Sequence, residues 1–133
     1  MSRQKVDPSF YARAAFVAAK VARDVAGVTD VVVLFRLGGH DSVDVFFVGI
    51  KPINQWHEMA MAERHGDAIN DILEDEFQDR CLYAYVEYVA CMEDLVEDHR
   101  REGVHICMAD FDEFSAQFAA WKNRQRDAEM PGD

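Results

Sequence analysis

The chain is short of cysteine, proline, glycine and positive charge, and each shortage excludes something. Its three cysteines, Cys81, Cys91 and Cys107, are an odd number, spaced by ten and sixteen residues. No zinc pattern has those spacings, and a disulfide-stapled secreted scaffold needs more bridges at this length. The expectation is therefore three small buried apolar residues in a reducing compartment, with Cys107 in the core between Ile106 and Met108. Three prolines and seven glycines in 133 residues leave no linker, no low-complexity stretch and no internal repeat. No uncharged apolar run approaches the roughly 18 residues a membrane span needs. The start, Met1-Ser2-Arg3-Gln4-Lys5, leads into no signal-peptide apolar segment. Together these predict a cytoplasmic protein without a membrane partner. Basic residues number 14 against 25 acidic ones, a net charge of -11. Such a balance opposes direct binding to nucleic acid or anionic lipid.

Half the residues are hydrophobic, so a core is affordable in one domain of this length. The local signals give the element order α-β-β-α-α-β-α. Asp7 as cap and Pro8 as first helical residue start a helix whose stripe is Phe10, Ala14, Val17, Val21 and Val25, ended by Gly27. Residues 31–35 and 43–50 are β-branched and aromatic, and they flank Gly38-Gly39-His40-Asp41, a hairpin. Both faces of the first strand are apolar, so both must be covered by helices or by a partner. Pro52 ends the second strand and Asn54 caps the next helix. That helix carries the stripe Trp56, Met59, Ala62, Gly66, Ile69, Leu73, Phe77, with Trp56 expected to anchor it and Gly66 to mark a kink or close crossing. Residues 80–102 fit a helix better than a strand. Leu82, Tyr85, Val86, Val89, Met92, Val96 and His99 fall on one helical face, with Tyr83 and Glu87 outside it. Gly103 then stops the helix, residues 104–108 form a short strand, and Asp110 caps a last helix bearing Phe111, Phe114, Phe118 and Trp121. The tail, residues 127–133, is expected to fray. The fold class is α+β, a small antiparallel or mixed sheet of three strands with about four helices on it, or four strands if residues 81–89 are extended.

Charge is unevenly placed. Residues 58–113 hold seventeen acids and four arginines, more than the whole net charge. Part of this has local causes. Asp110, Asp112 and Glu113 suit a helix start, and Glu97 lies one turn from Arg101. The ladder Glu63, Asp67, Asp71, Asp75 lacks such a cause. Like charges one turn apart oppose each other by a few tenths of a kcal/mol per pair, at ~0.3 kcal/mol. Glu74, Asp75, Glu76 and Asp79 then crowd a helix C-terminus, where the dipole disfavours anions. Local energetics are violated here, which is expected of a recognition surface. The competing reading is a face kept acidic for solubility.

No catalytic or ligand motif stands out. His57-Glu58 lacks the second histidine of a zinc protease, and the glycines at 38–39 lack the lysine and hydroxyl of a phosphate loop. His40 beside Asp41 reads as an exposed turn histidine, and the four serines sit in no nucleophile context. A carboxylate pair such as Asp67 and Asp71 could hold a divalent ion, but no histidine joins it at ligand spacing. No cofactor or metal is expected. The composition points instead to a non-enzymatic acidic protein that engages and inhibits a basic, nucleic-acid-handling partner such as a nuclease or effector subunit. An anti-CRISPR or a toxin-immunity protein would fit. Its expected contact residues are Glu63, Asp67, Asp71, Glu74, Asp75, Tyr83 and Glu87. Two alternatives remain open: a secretion-chaperone-like homodimer holding an extended client on exposed apolar surface, and a small metal-assisted hydrolase.

Overall fold

A computed structural model describes residues 8–36, 41–77 and 82–129, with side chains for 11–36, 41–77 and 82–120. The architecture is α+β: a four-stranded mixed sheet with helices on it. Helix α1, Pro8–Val21, runs into a π-turn, Ala22–Ala26, closed by Gly27 at φ 64°. Only a residue without Cβ enters that left-handed region at little cost. The π-turn is wider than an α-turn. It carries Val25 off the core face, where it is 46% exposed, and turns Ala26 toward the core in its place.

Strands β1, Asp30–Arg36, and β2, Ser42–Val48, form the antiparallel hairpin, with Val33 opposite Val45. The expected turn residues Gly38, Gly39 and His40 lie outside the described residues. Helix α2, Gln55–Glu76, begins at Asn54, whose side-chain oxygen accepts the His57 N–H at 2.9 Å. The chain then returns to the sheet as β3, Tyr83–Val89, parallel to β2. Short turns follow, a 3₁₀ turn at Met92–Asp94 and helix α3 at Glu97–Glu102. Strand β4, Val104–Cys107, pairs antiparallel with β1, giving the order β3-β2-β1-β4. A 3₁₀ turn, Met108–Asp110, leads into helix α4, Phe111–Glu129. This helix takes in the first part of the expected tail, and residues 130–133 lie outside the described residues.

The two-faced hairpin is covered on both sides by the chain itself. One face packs Val31, Val33, Val43, Val45 and Phe47 against α1 and the second half of α2. The alanines Ala14, Ala15, Ala18, Ala19 and Ala22 are buried there and bring α1 close to the sheet. Phe47 is wholly buried and contributes about 2–3 kcal/mol by leaving water. The opposite face packs Val32, Leu34, Phe46 and Val48 beneath Leu95, with Met92 and Val89 at the side. Phe16 joins α4 to this framework by stacking on Phe118 at 4.4 Å and lying 6.0 Å from both Phe111 and Phe114.

Four expectations need correction. Residues 80–102 are not one helix. Leu82 and Ala84 are buried, Val86 and Tyr88 are partly buried, and Tyr83 and Tyr85 are both 55% exposed. That is a period of two, imposed by pairing with β2, and it overrides a stripe that fitted helical spacing equally well. Tyr85 and Tyr88 therefore lie on opposite faces, and Tyr83 joins Tyr85. The α2 stripe is also displaced. Trp56 is 76% exposed and Met59 55%, while Met61, His65, Ile69, Leu73 and Phe77 are buried. Those five recur every four residues and bury only from Met61 onward, so Trp56 anchors nothing in the core. Cys91 is exposed rather than buried, and Cys107 is partly buried. Cys81, Asp79 and the Asp7 cap lie outside the described residues. Arg101 pairs with Asp98 at 2.9 Å and not with Glu97.

Candidate interaction groove

Strand β3 sits at one edge of the sheet, and α2 runs beside it. A groove of about 410 Å³ opens between them, lined by Ala62, Glu63, Gly66 and Asp67 from the helix and by residues 83–87 of the strand. Four of the seven expected contact residues thus border one strand edge, Glu63 and Asp67 from the face that α2 covers and Tyr83 and Glu87 with side chains on the opposite face. Asp71, Glu74 and Asp75 are exposed on the same helix but beyond the groove. A helical face at i, i+4, i+8 explains why they continue its acidic wall without lining it.

The far ends of this region have their own partners. Glu76 lies 3.8 Å from Arg13 of α1, whose guanidinium stands 4.9 Å over the Phe77 ring. This neutralises part of the charge at the C-terminus of α2. Arg36 pairs with Asp44, which raises its pKa, and Glu87 and Glu102 add to the effect. The exposed Tyr83 and Tyr85 rings lie 4.8 Å apart on the sheet face that carries Asp44 and Glu87.

Two residues at this edge escaped the sequence reading. Asn70 holds the backbone of Ala84 with both ends of its amide: Nδ2 donates to the Ala84 carbonyl at 3.1 Å, and Oδ1 accepts the Ala84 N–H at 2.7 Å. A neighbouring strand would make the same pair of bonds. Nothing in the sequence flags it, because the contact spans fourteen residues and two elements. His65 is 1% exposed and shares a 2.8 Å hydrogen bond between Nδ1 and the Tyr88 hydroxyl, with both rings against Phe47. Burial, and then Arg64, holds its pKa below the usual histidine value, while burial pushes Tyr88 up to about 12. The His65 Nε2 is buried without a partner. The four-residue recurrence from Met61 to Phe77 was the signal that could have found this histidine.

At the opposite edge, His105 Nε2 lies 2.8 Å from Asp30 Oδ1, and Cys107 stands across the ladder from Asp30. Among the described residues no group of three or more histidine, cysteine or acidic side chains is arranged to hold a metal ion. Nor is any described helix long and apolar enough to cross a membrane. No protein-family model, curated protein or solved structure matches the chain.

Proposed function

We propose that the chain is a non-enzymatic binding protein whose acidic groove engages a basic protein partner, occupying a surface that the partner offers to nucleic acid. One observation carries this. Glu63 and Asp67 come from α2 and Tyr83 and Glu87 from β3, some twenty residues away, and all four line the same groove. Carboxylates on both sides of a strand edge attract cationic surfaces and speed encounter with them. Two exposed tyrosines supply the rigid, amphipathic area on which interfaces concentrate their affinity. A nuclease or effector subunit is the partner class, as for a toxin-immunity protein or a phage-encoded inhibitor of a nucleic-acid-cutting complex.

The test is a pull-down from lysate of the source organism at low and high salt, with bound proteins identified by mass spectrometry. Wild-type chain should retain a basic protein that high salt releases, because exposed charge pairs are screened. The triple variant Glu63→Lys, Asp67→Lys, Glu87→Lys should lose it while keeping its far-ultraviolet dichroism. Retention by the triple variant would refute the proposal.

A further inference from the structure

The open edge of β3 says how such a partner is held. Tyr83 donates its N–H to the Asp41 carbonyl at 3.4 Å, and the Val89 carbonyl accepts the Gly49 N–H at 2.8 Å. Both bonds point toward β2. Backbone groups alternate sides along a strand, so Ala84, Val86 and Tyr88 turn theirs the other way, out of the sheet. No described strand lies on that side, since β3 ends the sheet. The Ala84 rung is taken by Asn70, and the rungs of Val86 and Tyr88 lie beyond that clamp. The helix leaves room above Val86. Ala62 and Gly66 are the small residues on this wall, and a Cβ added at Gly66 would find only the Val86 methyl, at 3.9 Å.

We infer that the partner segment is an extended basic strand that adds to the free edge of β3 at Val86 and Tyr88, with Asn70 closing the end of the ladder. This rests on the acidic-groove proposal and adds the bound conformation. An added strand sends alternate side chains to opposite sides. One set meets Glu63 and Asp67 on α2. The other passes over the Tyr83–Tyr85 rings beside Glu87, where a guanidinium or ammonium gains from both ring face and carboxylate. A segment of four to six residues covers two rungs, at about 3.3 Å per residue. Charge selects the occupant. A second copy of this chain would bring Glu63, Asp67 and Glu87 against their own images, and like charges across a strand pair repel. A cationic strand meets Glu63 and Asp67 on one flank and Glu87 on the other, with Arg64 standing toward the Tyr88 end.

The experiment uses the full chain, ¹⁵N-labelled, and an acetylated, amidated eight-residue peptide of alternating lysine and valine. Two further peptides carry N-methyl groups on all lysines or on all valines. In a strand, one of these two sets of N–H groups faces β3 and the other faces solvent. Expected results are binding at low salt, slower hydrogen exchange at the Val86 and Tyr88 amides by about tenfold or more, and loss of binding for one methylated peptide only. The double variant Glu63→Lys, Asp67→Lys should weaken binding by about tenfold, given the worth of exposed charge pairs. Equal binding by both methylated peptides would overturn strand addition. If that binding still fell in the double variant, the acidic groove would stand without it. Absence of binding by all three peptides would overturn the inference as well. So would self-association that protects Val86 and Tyr88 without peptide, by assigning the edge to a second copy.

Discussion

The two edges of the sheet solve the same problem differently. An unpaired strand edge invites association, and proteins blunt it by shortness, charge or cover. Strand β4 is short, four residues against the seven of β3. A hollow of about 460 Å³ lies beside it, lined in part by Asp110, Glu113 and Gln117. Its acids stand at the start of α4, where the helix dipole accounts for them. Strand β3 is long, and it is guarded by a side-chain amide at one rung and by carboxylates along its groove. Those carboxylates oppose their own helix, as local energetics require them not to. Brevity rejects every partner alike, whereas charge rejects some and admits others. That is why the longer edge, and not the larger hollow, is the functional candidate.

The contrast can be broken at either side. The largest effect is expected where β4 begins. A Cβ at Gly103 would lie 2.5 Å from a Val32 methyl and 2.8 Å from the His99 carbonyl. Gly103→Ala should therefore cost about 3 kcal/mol by overpacking, read as a lower urea midpoint. An unchanged midpoint would mean that β4 sits more loosely than its contacts indicate. At the other edge, Asn70→Ala removes two hydrogen bonds and strands the Ala84 backbone, for a loss of about 2 kcal/mol. Should stability hold, water serves Ala84 as well as the amide does, and the clamp is no clamp. Gly66→Ala should act oppositely. The space is there, and alanine favours helix by about 1 kcal/mol over glycine, so the thermal midpoint should rise. Tyr83→Ala and Tyr85→Ala should change stability by no more than about 0.5 kcal/mol, as exposed residues kept for contact rather than for the fold.

The remaining prediction is a slope rather than a midpoint. His65 is neutral in its buried site because burial lowers its pKa from the ordinary 6.5. As pH falls through that value the unfolded chain takes up a proton that the folded chain refuses, so stability drops. The loss continues down to the folded pKa and then levels off. His65→Gln should flatten this part of the stability profile, measured by urea unfolding between about pH 7.5 and about pH 5.5. A wild-type profile already flat there would contradict the buried, neutral state.

What was legible in the sequence was local. Gly27 and Asn54 act within one turn of themselves, and each does what its chemistry dictates. The hairpin joins neighbouring segments, and the aromatic spacing of α4 is indifferent to its partner. Strand β3 was not legible because its pairing partner lies about forty residues back, and Leu82 to Val86 satisfies either period. Trp56 misled because three-and-four spacing drifts: thirteen residues at about 100° each carry it roughly 140° around α2 from Ile69, onto the exposed side. Tyr83 with Glu87 survived the misreading of its element. Residues four apart share a side on a helix and on a strand alike, so the pair was sound whichever period won. Asn70 and the meeting of β3 with the acidic ladder needed the tertiary fold.

The register of the sheet also dictates an order of assembly. Strands β1 and β2 close on each other across a few residues, whereas β3 must wait for the whole of α2, and β4 joins β1 with Val104 opposite Val33. Contacts so distant along the chain close late, after the entropy of the long loops has been overcome. Both outer strands are thus expected to close late. A segment that zips onto β3 does not hasten the climb to the native state. It bolts down the last piece to arrive, and its signature is a longer-lived folded chain.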